Sequence, residues 1–383
     1  MSELSTTWAT GLTSSKSQAT APLQHQPLPV DEAPWMVDFD LDPDRGVWLK
    51  QELPSRPWTL WRYRELLPIV DWRDRIELGE GGTPLVRLNR LFPTGGEFWL
   101  KEEGGNPTGS FKARGLALAV SRARELGAPG VRLPSAGNAA LAATAYAAAA
   151  GLPCRIAVPV DAPAEVISRC RIHGGEVLVG GRTLVEAAAL LTEDDKGYWD
   201  LSTFKEPYRV EGKKTMGLEL AEQFDWRLPD WIVYPTGGGT GIVAMAKAFQ
   251  ELRSLGLLDD TQSRFAAVQM EGCAPIVEAF HSGASTVTAW ESPDTEVWGL
   301  RVPKTIADFL ILDAIRQSGG TAVSIPEASI QTMQEKAARS AGLLVGPEGA
   351  AALLAVETLQ DSGRILANQR VLVFQTGHPG NYR

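Results

Sequence analysis

Cysteine, histidine and clustered positive charge are all scarce in this chain of 383 residues. Its three cysteines (Cys154, Cys170 and Cys273) and its four histidines are widely scattered. Because neither set has the close spacing of metal ligands, we expect no metal site, and so few cysteines are typical of reduced thiols in the cytoplasm. The formal net charge is −9, and no run of lysine and arginine exceeds two residues. Nucleic acids and anionic membranes require a clustered basic surface, so we expect neither as a partner.

Long hydrophobic runs and secretion signals are also lacking. The longest apolar run, residues 139–152, is alanine-rich and too short to span a bilayer, so it predicts a buried helix. Residues 1–29 are rich in serine, threonine, glutamine and alanine and poor in charge. They lack the basic start and apolar stretch of a secretory signal, and no arginine supports the alternative of an organelle transit peptide. This composition predicts a flexible N-terminal arm over residues 1–45.

Beyond that arm, short β-branched runs alternate with helical patterns. The predicted strand and helix pairs are 98–101 with 110–126, 131–133 with 138–150, 155–158 with 164–173, 176–179 with 183–191, and 231–234 with 241–255. This alternation is typical of an α/β fold with mostly parallel sheets flanked by helices. The length predicts two lobes, and we expect residues 46–112 and 200–383 to build a large lobe and residues 113–199 a small one.

A lysine begins one of these helices in an unusual setting. Residues 101–115 read K-E-E-G-G-N-P-T-G-S-F-K-A-R-G, a tight glycine-rich loop in which Ser110 is a good helix N-cap. Lys112 then lies in the first turn of the helix, where the helix dipole lowers the pKa of an ammonium and so helps the amine to attack an aldehyde. The alternative is an ordinary exposed lysine.

Three further motifs follow predicted strands. In residues 235–241, P-T-G-G-G-T-G, consecutive glycines let backbone amides converge on an anion at a helix start, although this is neither a P-loop nor G-x-G-x-x-G. In P-S-A-G-N-A-A, residues 134–140, a helix start is suited to a carboxylate, and Asn138 can reach a ring oxygen. In Q-T-G-H, residues 375–378, Thr376 can bond a heterocyclic nitrogen. Each motif alone is also compatible with a plain turn or cap, but together with Lys112 they suit a phosphorylated pyridine aldehyde.

With these motifs the sequence resembles the fold-type-II pyridoxal-phosphate enzymes, and within them the threonine synthases, from about residue 61 onward. The motifs that carry the resemblance are W-R-Y-R-E-L-L-P, G-E-G-G-T-P-L, N-P-T-G-S-F-K, S-A-G-N, E-P-Y-R-V-E-G-K-K-T, P-T-G-G-G-T-G and V-G-P-E-G-A-A-A-L. The resemblance implies a two-lobed fold like that of the tryptophan synthase β subunit, with the cofactor in the large lobe. It also implies a homodimer that converts O-phosphohomoserine and water to threonine and phosphate.

The resemblance assigns roles to individual residues. Lys112 would be the Schiff-base lysine and the base in proton transfer, Asn138 would bond the ring oxygen, and Thr376 would face the pyridine nitrogen. The other cofactor-binding residues would be Phe111, Gly237, Gly238, Gly239, Thr240 and Gly241. The substrate would be bound by Ser135, Ala136, Gly137, Lys205, Arg209 and Lys213, with Arg209 on the substrate phosphate.

The sequence also departs from the threonine synthase pattern at two places. Relatives often have Asn-Ser a few residues before the phosphate-binding arginine, where this chain has residues 202–205, S-T-F-K. The ending T-G-H-P-G-N-Y-R places His378 beside the expected ring site. Two alternatives are therefore kept: another fold-type-II lyase, such as a threonine or serine dehydratase or a cysteate-synthase-like enzyme, and a non-catalytic nucleotide or ligand binder. The basic residues between 205 and 214 favour a phosphorylated substrate over a plain hydroxy amino acid.

Overall fold

A computed structural model describes residues 7–24, 28–29, 31–93, 95–191 and 197–382. The strands, in chain order, are Ala9–Ser14 (β1), Thr20–Ala21 (β2), Trp35–Phe39 (β3), Leu85–Arg87 (β4), Glu97–Glu102 (β5), Val131–Pro134 (β6), Cys154–Val158 (β7), Glu176–Val179 (β8), Trp199–Asp200 (β9), Trp231–Pro235 (β10), Arg264–Met270 (β11), Thr321–Ile325 (β12) and Arg370–Gln375 (β13). The α-helices are Pro43–Glu52 (α1), Lys112–Glu125 (α2), Asn138–Ala150 (α3), Ala164–Ile172 (α4), Leu184–Ala188 (α5), Tyr208–Gln223 (α6), Thr240–Ser254 (α7), Pro275–His281 (α8), Asp308–Gln317 (α9), Ile330–Ala341 (α10) and Pro347–Asp361 (α11).

The predicted alternation of strands and helices is confirmed, with one informative difference at the start of α2. The loop before α2 contains the short 3-10 helix Pro107–Gly109, in which Thr108 has a positive φ of 61°. Ser110 is extended and α2 begins only at Lys112, with Phe111 as its N-cap residue. The prediction that Ser110 caps this helix is therefore wrong, because the tight 3-10 turn delays the helix by two residues.

The chain folds into two compact units whose bounds differ from the predicted lobes. Unit 1 comprises Met1–Gly82, Asn106–Met216 and Ser254–Leu257, and unit 2 comprises Thr83–Gly105, Gly217–Arg253 and Leu258–Arg383. Unit 1 thus contains the predicted small lobe, residues 113–199, together with the N-terminal segment and the loop that precedes Lys112. Its hydrophobic core explains this, since residues from before position 82 and from α2 and α3 belong to one cluster: Leu12, Trp35, Val37, Leu60, Trp61, Leu116, Leu141 and Tyr146.

Unit 1 contains two sheets in its described residues. The sheet of order β8-β7-β6-β9 is parallel throughout and is associated with α3, α4 and α5. The antiparallel sheet β2-β1-β3 is formed by residues 9–39, because Leu12 and Val37 bury their side chains in the unit's core. The expectation of a flexible arm over residues 1–45 is corrected for these strands; residues 1–6, 25–27 and 30 lie outside the described part.

The alanine-rich helix α3 shows why the longest apolar run belongs to a core. It has thirteen residues, and the side chains from Ala139 to Ala147 are buried. Alanine adds little bulk, so neighbouring helices can approach α3 closely on several sides. Across the described residues, no helix is both long enough and apolar enough to cross a membrane.

Unit 2 is built on a sheet of order β12-β11-β10-β13-β5-β4 in the described residues. All neighbouring strands are parallel except β4, which runs antiparallel to β5. Its buried strands β10, β11 and β13 are almost entirely apolar, as expected for a sheet covered on both faces. The carboxyl ends of β10, β13 and β5 carry the glycine loop, Thr376 and Glu102, and ligands of such sheets bind at that edge.

Candidate active site

Lys112 lies in unit 1 at the start of a fourteen-residue helix. Its Nζ is 4.2 Å from the centroid of the Phe111 ring. The loop before it is held in place by Asn106, whose Oδ1 accepts a hydrogen bond of 3.0 Å from the amide of Gly81. Nearby, the Oγ of Ser110 is fully buried and has no hydrogen-bond partner in the described residues. The amine therefore lies at the positive end of a helix dipole, close to a buried hydroxyl that a bound molecule could satisfy.

Lys101, which precedes Lys112 in the sequence and belongs to unit 2, has different surroundings. Its side chain is fully buried, and its Nζ donates to the Thr83 carbonyl oxygen at 2.7 Å, to Glu219 at 2.5 Å and to Gln223 at 2.7 Å. All three donors of this ammonium are thus engaged, and the Glu219 carboxylate stabilises the charged form. This arrangement supports Lys112 over Lys101 as the reactive lysine.

The motif S-A-G-N lies at the junction of β6 and α3, also in unit 1. Ser135 donates its amide to the Ala157 carbonyl oxygen at 3.1 Å, and Ser135, Ala136, Gly137 and Asn138 are all half-buried. Gly137 is the N-cap residue, and no side chain caps the helix there. A Cβ at Gly137 would meet no atom within 4 Å. The start of α3 therefore faces open space, as the binding of a substrate carboxylate requires.

The predicted phosphate-binding residues lie at the start of α6 in unit 1. Arg209 and Lys213 are buried, whereas Lys205 is exposed and pairs with Asp200 at 3.4 Å. Arg209 donates through Nη1 to the Leu201 carbonyl oxygen, and its buried Nε has no partner among the described residues. The structure thus brings Arg209 and Lys213 together with Lys112, while Lys205 points to solvent.

Glu206 is a charged residue that the sequence analysis missed. Its carboxylate accepts hydrogen bonds from the amides of Tyr208 at 2.7 Å and Arg209 at 3.0 Å, so it caps the start of α6. Burial raises the pKa of Glu206 to about 7, although the charge of Arg209 opposes this shift. The sequence signal was an acidic residue just before Pro207 at a helix start, where a carboxylate satisfies exposed amides.

The glycine loop of unit 2 precedes the fifteen-residue helix α7. Within the described residues, the amides of Gly237, Gly238 and Gly239 donate no hydrogen bond. Gly239 has a φ of +71°, and a Cβ on Gly237 would lie 2.2 Å from the Gly299 carbonyl oxygen. A Cβ on Gly241 would lie 2.1 Å from the Tyr234 hydroxyl oxygen. Only glycine fits these positions, and the amides of the loop remain available to an anion.

Thr376 follows β13 in the same unit. It is 6% exposed, and its hydroxyl makes no hydrogen bond within the described part of the chain. Glu102, at the end of β5, is paired in register with Gln375, and its Oε1 accepts from the amide of Gly104 at 2.9 Å. Burial raises the pKa of Glu102 to about 7. His378 is exposed, and its Nδ1 accepts a hydrogen bond of 3.0 Å from the amide of Gly380.

The chain belongs to the pyridoxal-phosphate dependent enzyme family, whose model matches residues 76–377. Among named proteins, the chain is similar to the threonine synthase of Methanosarcina acetivorans, at 38% identity over 86% of this chain and 81% of that protein. It is also similar to the threonine synthase of Methanocaldococcus jannaschii, at 33% identity over 89% of this chain and 85% of that protein.

Solved structures share the fold. Maize serine racemase superposes with a TM-score of 0.67 at 20% identity, covering 90% of this chain and 94% of that one. The processed form of threonine deaminase isoform 2 from Solanum lycopersicum gives a TM-score of 0.67 at 22% identity, covering 88% and 90%. The family and these structures confirm the predicted fold class, and the family confirms the predicted cofactor, pyridoxal phosphate.

The residues described above fit this cofactor. In unit 1, Lys112 carries a primary amine; in unit 2, the amides of Gly237, Gly238 and Gly239 and the hydroxyl of Thr376 make no hydrogen bond within the described residues. When bound, pyridoxal phosphate acts as an electron sink for the bonds around the α carbon of an amino acid. If Thr376 holds the ring nitrogen, a hydroxyl there in place of a carboxylate would weaken that sink and favour elimination and replacement over transamination.

Proposed function

We propose that this chain is a threonine synthase, which converts O-phosphohomoserine and water to threonine and phosphate. The observation that carries the proposal is the buried Arg209, whose Nε has no partner among the described residues and which lies one turn before the buried Lys213. A planar guanidinium binds phosphate bidentately, and a buried cation of this kind requires an anion to be well stabilised. The threonine synthases of the two archaea named above support the same assignment.

The chain's own residues would divide the work as follows. Lys112 would hold the cofactor and then move protons at the α and β carbons of the substrate. The start of α3, from Ser135 to Asn138, would bind the substrate carboxylate, and Arg209 with Lys213 would bind the substrate phosphate. The amides from Gly237 to Gly241 would bind the cofactor phosphate, with Thr376 at the ring nitrogen. Phe111 would lie beside the cofactor, and the exposed Lys205 would act only as a distant charge.

The substrate is tested by steady-state assay of the holoenzyme with O-phosphohomoserine, threonine, serine and O-phosphoserine. We expect threonine and phosphate to form from O-phosphohomoserine, with little turnover of the other three. Ammonia release from threonine or serine as the main activity would instead identify a dehydratase. We also propose a cytoplasmic homodimer, and light scattering of the purified protein measures its mass in solution.

Replacing Arg209 separates a threonine synthase from related lyases. Arg209→Ala removes one or two charge-assisted hydrogen bonds to the substrate phosphate, each contributing roughly 1.5–3 kcal/mol. We expect kcat/KM for O-phosphohomoserine to fall by roughly tenfold to a few ten-thousandfold. Arg209→Lys keeps the charge but not the fork of donors, so it should recover only part of the loss.

The control for this variant is the cofactor itself. Arg209 belongs to the substrate site, so the absorption spectrum of bound pyridoxal phosphate should match that of the wild type. Thermal unfolding of both variants checks that α6 remains folded. Equal losses on O-phosphohomoserine and on an unphosphorylated hydroxy amino acid would contradict the assignment.

A further inference from the structure

Lys213 is a buried lysine next to other basic residues. It lies on α6, one turn after Arg209, and its side chain is fully buried. Its Nζ is 5.3 Å from the centroid of the Phe111 ring, and the Nζ of Lys112 is 4.2 Å from the same centroid. Two lysine side chains therefore approach one aromatic ring at the reactive end of α2.

The close crossing of α2 and α6 holds this arrangement. A Cβ on Gly212 of α6 would lie 2.2 Å from the Arg114 carbonyl oxygen. A Cβ on Gly115 of α2 would lie 3.1 Å from the Cε of Lys213. Because glycine is present on both helices, their backbones nearly touch, and the stem of Lys213 lies against α2. Lys213 cannot extend its ammonium to solvent as a surface lysine does.

The charges that act on Lys213 are mostly positive. Arg209 precedes it by one turn, and Lys112 approaches from the start of α2; Glu206 opposes both. Burial, followed by the charges of Arg209 and Lys112, holds the pKa of Lys213 well below its usual value. An arginine does not lose its proton in a protein, so the charge of Arg209 is permanent. With Lys112 attached to the cofactor, as the proposed function requires, Lys213 is the lysine of this cluster whose charge can change with what is bound.

Other charged groups near the crossing interact mainly with residues other than Lys213. Arg114 donates through Nη1 to the Thr215 hydroxyl at 3.1 Å, and Lys214 pairs with Glu211 at 2.6 Å. Asp200 acts on Arg209, where it opposes the effect of burial on the pKa of that guanidinium. None of these groups is among the charges that shift the pKa of Lys213.

We propose that Lys213 is the titrating cation of the substrate-phosphate site: it is neutral while the site is empty and takes up one proton from solvent when a doubly charged phosphate group binds. This inference rests on the proposed function, because the phosphate group is that of the substrate. The site then gains its second full positive charge only in the presence of a dianion. A singly charged or neutral leaving group draws the proton less strongly, so Lys213 would act as a specificity residue for phosphate.

Calorimetry with inorganic phosphate tests the proton directly. Phosphate is titrated into the holoenzyme at about pH 8, where it is mainly a dianion, in two buffers of different ionisation enthalpy. We expect the wild type to take up about one proton per phosphate bound. Lys213→Met keeps a long buried side chain without charge, and it should bind phosphate about tenfold more weakly or worse, with no proton uptake. Lys213→Arg should bind phosphate but exchange no proton, because it is always charged.

Lys336→Met is the matched control, since Lys336 is a half-exposed lysine of unit 2 that pairs with Glu357. It should bind phosphate and take up the proton as the wild type does. Cofactor absorption and thermal unfolding establish that each variant is folded. Proton uptake that persists in Lys213→Met or Lys213→Arg would overturn the proposal, as would proton-neutral binding by the wild type. If the wild type forms threonine but binds phosphate without proton uptake, only the role of Lys213 is rejected. If the wild type neither forms threonine nor binds phosphate, the proposed function is rejected.

Discussion

Two lysines of one stretch of chain, Lys101 and Lys112, differ in what surrounds them. The ammonium of Lys101 is bound by a carboxylate, a carbonyl and a side-chain amide, and it is fully buried. Lys112 is half-buried at a helix start, against the face of Phe111. Cofactor attachment requires an amine that can lose its proton and reach an aldehyde, so the surroundings of each residue decide which one reacts.

The first residue-scale prediction concerns this choice. Lys112→Ala should remove the covalent link to pyridoxal phosphate and reduce turnover to background, because no other group would hold the cofactor and move protons at the substrate. Borohydride reduction of the wild type followed by peptide mapping should find the pyridoxyl group on Lys112. Lys101→Met is a control only for mapping, since it leaves Glu219 buried without its partner and destabilises the protein. A pyridoxyl group on Lys101 would reverse the assignment.

At the scale of elements, the loop between β10 and α7 depends on tight packing as well as on backbone freedom. Gly239 has a positive φ, and a Cβ there would lie 1.9 Å from the Cδ1 of the buried Ile311. The loop is therefore shaped by α9, on which Ile311 lies, and not only by its own glycines. A ligand-binding loop of this type keeps its shape because neighbouring elements fix the direction of its amides.

Substitution in this loop is predicted to weaken cofactor binding and stability together. Gly239→Val introduces a β-branched side chain at positive φ and against Ile311, so we expect a lower melting temperature and weaker binding of pyridoxal phosphate. Fluorescence titration of the apoenzyme measures the affinity. Gly239→Ala combined with Ile311→Ala removes most of the clash and should recover part of the affinity. Cofactor affinity equal to that of the wild type in Gly239→Val would show that the loop does not hold the cofactor phosphate.

At the scale of the whole molecule, a half-buried carboxyl, that of Glu102, links stability to pH. The pKa of Glu102 is raised from 4.5 to about 7 by burial, so between these values the folded protein holds a proton that the unfolded chain has released. The contribution of protonated Glu102 to stability is therefore fully present below about pH 4.5 and is lost as the pH rises through about 7.

Glu102→Gln should remove this dependence, because glutamine keeps the acceptor for the Gly104 amide and cannot ionise. Urea unfolding at about pH 5.5 and at about pH 8 should show that the free energy of unfolding of the wild type falls relative to that of the variant as the pH rises. Glu97→Gln is the control at the other end of β5. Hydrogen bonding to Arg370 lowers the pKa of Glu97, so its contribution is lost only at low pH and should be constant over this range. Parallel curves for wild type and Glu102→Gln would contradict the prediction.

The sequence by itself determined five strand and helix pairs between residues 98 and 255, the motif around Lys112 and the glycine run of residues 237–239. These features are local: a helix period, a strand run or a row of glycines is visible within a few residues, and the chemistry follows from neighbours in sequence. The family motifs at Lys112 and Gly239 needed no tertiary information for the same reason.

The tertiary structure decided how distant segments combine. Leu12 and Trp35 join the core of α2 and α3, so the N-terminal segment is part of unit 1, and no local pattern indicates this partner. Lys101 is neutralised by a carboxylate 118 residues away, at Glu219. The crossing of α2 and α6 at two glycines buries Lys213 among cations. Burial and long-range charge set the properties of these residues, and both depend on contacts that only the folded chain makes.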